Sequence, residues 1–402
     1  MNYGSLRDYY TAIGYKRLSA TEVDPQTSHG HEFQGVNAFR DMFGTEKRDI
    51  NATIHYLDDN EDMEDLSQKG TLSWYDSRAN DPKRSAEFRL YYKQDLELIQ
   101  DHAQADDLII GAMRADEKVD ILIVQAGSTW EQQLKWLFAI DESDSGKGYT
   151  TREIKAQGSL DFGSQSIMER LGIELQVSDD NLLEGLLNGF GDTFPTTRVF
   201  SDYARGTIET CPRDDPDGAL IAWLEQEEML FRLLEKHIIN QRLRQGFEND
   251  VDGFISYSLS VQNRRKSRAG QSLENHLEEI FINHGIHYCR GATTENRSKP
   301  DFLFPGIEEY HDKSFPNNNL NMLGAKTSCK DRWRQVLTEA KRIRSKHLCT
   351  VEPGISKTQT DEMKANYLQL VIPQPLHSTF TPGQQTSLVD LQGFLEVVKR
   401  HQ

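Results

Sequence analysis

The stretch ALIAWLEQEEMLFRLLEKHIINQRLRQGF at 219–247 keeps apolar residues three or four apart for many turns. That spacing predicts one long helix that must bury a continuous face. The face can go into the core of its own domain, or against a second copy of the chain. With 402 residues the chain is too long for one average domain, so two domains with separate cores are expected.

Ahead of the long helix the pattern is strand-like. GTLSWYD at 70–76, AEFRLYYK at 86–93, DLIIGAMRA at 107–115 and VDILIVQAG at 119–127 are β-branched or aromatic runs between polar, turn-rich stretches. WEQQLKWLFAI at 130–140 has helical spacing, and from Asp141 to about Gln165 the composition shifts to Gly, Ser and charge, the usual look of an exposed connection. The expected division is therefore an N-terminal domain over 1–160, a linker over 161–180 and a C-terminal domain over 181–402. The second half begins with helices at 182–190, 219–247 and about 270–284, the last stopped by Gly285. Strand candidates DFLFP at 301–305 and NMLGAKTSC at 321–329 follow, then a basic helix over 331–346 and the strand-like pieces HLCTVEP and LQLVIP. Helices alternating with strands in this way make an α/β core.

Bulk composition narrows the function classes. Hydrophobic residues at 37% suffice for globular folding, and no run of about 18 apolar residues is present. The N-terminus MNYGSLRDYY has no charged lead before an apolar stretch, so neither a membrane span nor a secretory signal is expected and the cytoplasm is the expected compartment. The four cysteines, Cys211, Cys289, Cys329 and Cys349, never form C-x-x-C, which argues against a zinc ribbon or a disulfide framework. His29 and His31 with Glu32 (HGHE) have no second cluster to complete a metal site.

A formal net charge of -17 disfavours a sequence-blind nucleic-acid coat protein, because phosphate contacts require clustered cations. One segment departs from that balance. Across 326–346 stand Lys326, Lys330, Arg332, Arg334, Lys341, Arg342, Arg344 and Lys346, against the acids Asp331 and Glu339. Cations confined to one cleft would still suit a nucleic-acid partner.

Beside that segment lies an isolated Pro-Asp, in KPDFLFPG at 299–306. Hydrolysis of a phosphodiester calls for a hard divalent cation, carboxylates to hold it and a lysine to steady developing negative charge. Asp301 at the start of one strand and Lys326 in the next could meet at adjacent strand ends, though that pair alone recurs in many globular proteins. Glu339 on the basic helix, and Glu274 four residues before Glu278 on the preceding helix, could point into the same cleft. Each is otherwise an ordinary solvated helix acid. Tyr310 and His311, in a loop after the Pro-Asp strand, could touch the site or be structural.

The motifs VQNRRKSRAGQSLENHLEEIF (261–281), KPDFLFP (299–305), YHDKSFP (310–316) and AKTSCKDRWRQVLTEA (325–340), with YKRLSA (15–20), stand in the order found in one nuclease group. In these blocks the chain resembles the EcoRII-type restriction endonucleases of the PD-(D/E)XK superfamily. The resemblance implies a C-terminal α/β restriction-endonuclease-like core with added helices. In it Asp301 and Glu339 would bind Mg²⁺, Lys326 would orient water or stabilise the transition state, and Glu274 would complete the cluster, with Glu278 in reserve. Gly324 replaces the acid usual two residues before the lysine; in this subgroup that acid moves onto the following helix, where Glu339 stands. The triplet Lys330, Asp331 and Arg332 would read bases, since cations suit guanine O6 and N7 and Asp accepts from the cytosine amine. Arg264, Arg265, Lys266 and Arg268 would bind phosphate.

For the N-terminal half the resemblance implies a mostly-β pseudobarrel, an effector-binding domain that takes a second copy of the DNA target. Its candidate contacts are His31, Arg78, Lys83, Arg84 and Arg89, while Asp81, Pro82, Ala86 and Phe88 stand where more cations are expected. The expected protein is a homodimeric, Mg²⁺-dependent type IIE endonuclease with double-stranded DNA bound at two sites and no membrane partner. The alternatives are a sequence-specific DNA-binding regulator with an inactive nuclease fold, and a strand-nicking repair-type nuclease.

Overall fold

Strands that are buried on both faces read as unbroken apolar runs, and VDILIV at 119–124 is one of them. The computed structural model describes residues 5–23, 31–35, 37–59, 66–81, 83–92, 101–140, 150–153, 160–173, 175, 180–330 and 332–402. By its contacts the chain divides into two units, Met1–Leu175 with Gly354–Thr358, and Gln176–Pro353 with Gln359–Gln402.

The first unit holds strands β1 (Tyr10–Arg17), β2 (Glu32–Gln34), β3 (Arg48–Leu57), β4 (Leu66–Asp76), β5 (Phe88–Tyr92), β6 (Leu108–Arg114), β7 (Val119–Val124) and β8 (Thr150–Glu153). They form one sheet in the order β2-β5-β4-β3-β7-β6-β1-β8, with β3 and β7 parallel and every other pair antiparallel. Alternate residues serve two cores. Ile50, Ile54, Trp74, Leu90, Ile109 and Ile121 pack on one face, and Tyr10, Ile13, Leu108, Ile110, Leu122 and Val124 on the other.

The second face is covered by helices α1 (Thr129–Leu137) and α2 (Phe162–Arg170). Helix α2 corrects one expectation. Residues 161–180 are expected as an exposed linker, yet Ile167 and Met168 of α2 are fully buried in the first unit's core. Asp161 caps the helix by accepting from the Ser164 N–H at 2.8 Å, a stop-and-start signal hidden in a Gly- and Ser-rich stretch.

In the second unit three helices form a layer: α3 (Thr197–Gly206), α4 (Pro216–Gln245) and α5 (Val251–Asn283). The expected helix at 219–247 is α4, and its first two thirds are core, with Leu220, Trp223, Leu230 and Leu234 buried. Helix α5 starts at Val251, nineteen residues before the expected start at about 270. Its first half, VDGFISYSLS, is rich in Ser and β-branched residues of modest helix propensity, which hides it in the sequence.

A five-stranded sheet completes the unit: β9 (Cys289–Arg290), β10 (Phe302–Phe304), β11 (Asn321–Lys326), β12 (Lys346–Thr350) and β13 (Leu368–Val371), in the order β13-β12-β11-β10-β9. The β9, β10 and β11 pairings are antiparallel, and β11, β12 and β13 run parallel. Phe281 of α5 meets Phe302 and Phe304 edge-on, with ring centroids 5.1 and 5.2 Å away. That contact seats α5 on the sheet. Among the described residues no helix is long and apolar enough to cross a membrane.

Arg268 requires a second correction. Expected to bind phosphate, it is buried between helices, with Nη1 3.2 Å from Glu227 Oε1, a further ion pair to Glu228, and its guanidinium 4.2 Å over the Phe231 ring. Glu227 also faces His276 Nε2 at 3.0 Å, while Arg205 Nη1 donates to His276 Nδ1 at 3.0 Å. Burial holds the His276 imidazole pKa below its ordinary value, so the ring is neutral and accepts from Arg205. Removing one partner of such a buried pair strands the other charge. Arg268→Ala is expected to destabilise the second unit by about 3 kcal/mol, read from urea unfolding.

Candidate active site

The antiparallel register that sets Phe302 opposite Leu323 brings the start of β10 beside the C-terminal end of β11. Asp301 and Lys326 therefore meet. Lys326 Nζ lies 2.7 Å from Asp301 Oδ2, and the Ala325 N–H donates to the same oxygen at 2.7 Å. Both side chains are mostly shielded, at 12% and 15% exposure, so the pair sits in a recess and not on open surface.

Gly324 has a steric reason. A Cβ there would stand 2.9 Å from Val336 Cγ2, because helix α6 (Arg332–Thr338) lies against the strand. An acid at 324 has no room. The same helix delivers the missing carboxylate, but from beyond its end, since Glu339 follows Thr338 and the next residue, Ala340, has φ +42°. The expected basic helix over 331–346 is thus only seven residues long, and Glu339 is not on it.

Glu339 is half-buried, and its Oε2 has no hydrogen-bond partner. Burial, and then the charge of Asp301, push its carboxyl up to about 7; Lys326 and Lys346 oppose the shift. Glu274 is raised for the same two reasons, with Arg290 opposing. Glu339 and Glu274 therefore both sense the charge of Asp301. Among the described residues no group of three or more His, Cys, Asp or Glu side chains is arranged as a metal cage. Two mutually repelling carboxylates, one with an orphaned oxygen, suit a small hard cation that keeps several waters.

Two residues at the cluster have no counterpart among the sequence-based candidates. Arg290 on the edge strand β9 forks between acids, with Nη2 2.9 Å from Glu274 Oε2 and Nη1 2.8 Å from Glu278 Oε2 and 2.9 Å from Asn275 Oδ1. Glu278 also accepts from Arg198 at 2.5 Å and from Tyr288 OH at 3.1 Å; against burial, Arg290 first and then Tyr288 and Arg198 hold its carboxyl low. Glu278 is tied up in structure, whereas Glu274 faces Asp301. Lys346, buried at the start of β12, donates to the Ile343 carbonyl, and burial lowers its pKa while Glu339 opposes. A lysine directly ahead of an apolar strand was the available signal for it; Arg290 had none, because it depends on strand pairing. On the nuclease activity expected from the sequence, Arg290→Ala would slow DNA cleavage about 10- to 100-fold by freeing Glu274, and Arg290→Lys would fail to restore it, as an ammonium cannot fork two carboxylates; single-turnover digestion reads both.

The basic run 326–346 is less available than its composition implies. Arg342 clamps the 309–317 segment through the carbonyls of Asp312 and Phe315, both at 2.9 Å, and that of Tyr310. Arg334 pairs with Glu362 at 2.8 Å, and Arg344 stacks 4.4 Å over Tyr367. Tyr310 belongs to a short helix, Ile307–His311, and not to a loop; it is buried and donates to Glu295 Oε2 at 2.6 Å, away from Asp301 in its bonding. Lys330 lies in the turn between β11 and α6, Arg332 is the exposed first residue of α6, and Asp331 falls outside the described residues.

Residues 231–395 match the family model described as EcoRII C terminal. The chain is 46% identical over 182 residues to the type II restriction enzyme EcoRII of Escherichia coli, covering 45% of each protein. Over those residues this chain is similar to the EcoRII C-terminal family. The type II restriction enzyme SsoII of Shigella sonnei is 29% identical over 113 residues, 25% of this chain and 36% of that protein. The chain thus spans less than half the length of these curated relatives in the matched regions. Among solved structures, metal-depleted Ecl18kI in complex with uncleaved, modified DNA overlays with a TM-score of 0.43 at 18% identity, over 56% of this chain and 85% of that one. The matched EcoRII C-terminal segment contains Asp301, Lys326, Glu339, Glu274 and Arg290.

The remaining cations of the second unit divide by burial. Arg264 is half-buried and stacks 4.2 Å over Phe194, Arg265 pairs with Glu235 at 2.6 Å, and Lys266 is exposed. In the first unit Arg78 is paired with Glu87, and Arg89 with Glu87 and, at 3.7 Å, Glu32. Lys83 and Arg84 are exposed, while His31 packs edge-on against Tyr92 at 5.5 Å. Two of the five expected effector-DNA contacts are therefore already neutralised by acids.

Proposed function

We propose that this chain is a type II restriction endonuclease that makes double-strand cuts in DNA at a GC-rich site of the CC(A/T)GG type, before the first cytosine. What carries the proposal is the gathering of Asp301, Lys326 and Glu339, within the segment similar to the EcoRII C-terminal family, at the ends of paired strands. Asp301 and Glu339 would hold Mg²⁺, with Glu274 beside them and Arg290 fixing its carboxylate. When bound, that cation supplies positive charge for the scissile phosphate and acidifies water. Lys326, anchored by Asp301, steadies the charge that builds on the phosphate oxygens. Lys330, Asp331 and Arg332 follow the catalytic strand and would read the base edges, while Arg264, Arg265 and Lys266 track the backbone.

The first unit would bind a second DNA copy as effector, with His31, Lys83 and Arg84 as contacts and Arg78 and Arg89 exchanging their acid partners for phosphate. A dimer follows from a two-fold symmetric target. The exposed apolar residues of α5, Val251 (66%), Phe254 (49%), Ile255 (49%) and Leu259 (53%), share one helix face and would meet a second copy. Phe254→Asp with Leu259→Asp is expected to halve the sedimenting mass at micromolar concentration and to turn double-strand cuts into nicks.

The deciding experiment is digestion of plasmid DNA by the full chain with and without Mg²⁺, followed by sequencing of the ends. Metal-dependent ends at one GC-rich sequence support the assignment. Tight, specific binding without any cleavage would leave a DNA-binding regulator, and single-strand nicks a repair-type nuclease.

A further inference from the structure

The face of the first sheet that carries α1 and α2 changes character along β3 and β4. Under the helices it is apolar, through Leu108, Ile110, Leu122 and Val124. On the next two strands it presents Asn51, Thr53 and His55 of β3 opposite Thr71, Lys69 and Ser67 of β4. These residues floor a groove of about 730 Å³, walled by Arg114 and Lys118 of the β6–β7 hairpin and by Arg170 at the end of α2.

In a chain with 63 Asp and Glu residues, no carboxylate is among the described residues that line this groove, and neither is a Phe, Tyr or Trp ring. Arg114 and Lys118 are ion-paired, as Arg78 and Arg89 are, and a phosphate would share them with their acids. Arg114 Nε donates to the buried Asp120 at 2.7 Å, and Arg170 lies 4.1 Å over Trp130 with Nη1 donating to Gln133 at 2.9 Å. Lys118 meets the exposed Asp116 at 2.6 Å, and Lys69 is exposed. Asp120 is 1% exposed and lies outside the lining; its Oδ1 has no hydrogen-bond partner and stands 3.9 Å from His55 Nε2 of the groove floor.

We propose that this groove binds the phosphodiester backbone of double-stranded DNA without reading sequence, apart from the cleaved site and from the cations at 78–89. Cations select an anion. Hydroxyl and amide side chains on the floor can donate to phosphate oxygens but offer no pattern for bases. Single-strand sites stack bases on aromatic rings, and none is among the described residues lining this groove, which favours a duplex. From Asn51 to Leu57 the strand spans about 20 Å, the length of roughly six phosphates on one strand. The proposal rests on the nuclease assignment only in taking DNA as the anion.

Fluorescence anisotropy of the full chain in EDTA, with a labelled 20-base-pair duplex lacking CC(A/T)GG, tests it. K69Q/K118Q, two exposed substitutions, is expected to bind roughly tenfold more weakly at 0.1 M salt, with the slope of log K against log salt shallower by about 1.8. R170Q is expected to weaken binding as well, and K364Q, on the second unit, to leave it unchanged. Unchanged affinity and slope in both groove variants would overturn the proposal, as would a groove whose occupancy by inorganic phosphate is not displaced by duplex. Wild-type plasmid digestion is run alongside. Loss of duplex binding in the variants with no cleavage by the wild type would sink the nuclease assignment and keep the groove; cleavage with unaltered binding would do the reverse.

Discussion

Asp301→Asn is expected to cut the rate of DNA hydrolysis about 10²- to 10³-fold or more while leaving DNA binding intact. The amide preserves an acceptor for the Ala325 N–H, so β10 and β11 stay in register. What it removes is a negative charge on which three neighbours depend. Lys326 loses its ion-pair partner, Glu339 and Glu274 lose the charge that raises their carboxyls, and the proposed divalent cation would lose a ligand. Losing one preorganised charge-stabilising group costs rate on that scale. Single-turnover cleavage and anisotropy in Ca²⁺ read the two properties separately. Hydrolysis within tenfold of wild type would remove Asp301 from the chemistry.

Glu339→Gln is expected to abolish cleavage and yet stabilise the metal-free protein. Burial and Asp301 raise the Glu339 carboxyl to about 7, above its ordinary 4.5. Between those values the folded state keeps a proton that the unfolded state has released, so stability falls as pH rises through that window. Above pH 7 the carboxylate is charged, buried and unpartnered at Oε2. The Gln variant should therefore gain roughly 1–2 kcal/mol over wild type at pH 8, after discounting for partial exposure, and little at pH 5. Urea unfolding at the two pH values measures it. The same titration sets metal uptake: below pH 7 a cation must expel the proton, so the Mg²⁺ concentration for half-maximal cleavage should climb about tenfold per pH unit.

Local chemistry made several parts legible. The period of apolar residues marked α4, the β-branched runs marked β4 to β7, and Pro-Asp followed by a strand lysine marked the pair that meets at 2.7 Å. Elements whose stabilising contacts are remote were missed or misplaced. The first half of α5 has weak local propensity; α6 ends at Thr338, short of Arg342, which clamps the 309–317 segment; and α2 looks like a linker until Ile167 and Met168 are seen in the core.

Charge was the least legible property. Arg268 and Arg342 read as cations available to DNA, but one is buried against Glu227 and the other is spent on carbonyl oxygens. A residue's charge is written in its type, whereas its partner is set by which segments pack beside it. By itself the sequence determined which residue types could assemble a phosphodiester-cleaving centre, and along which helices and strands they lie, because periodicity and side-chain chemistry are local. Only the tertiary structure decided that Glu339 and Lys346 share a recess, that Arg290 governs Glu274, and that one face of the first sheet turns polar and cationic, because strand register and helix packing bring together groups far apart in the chain.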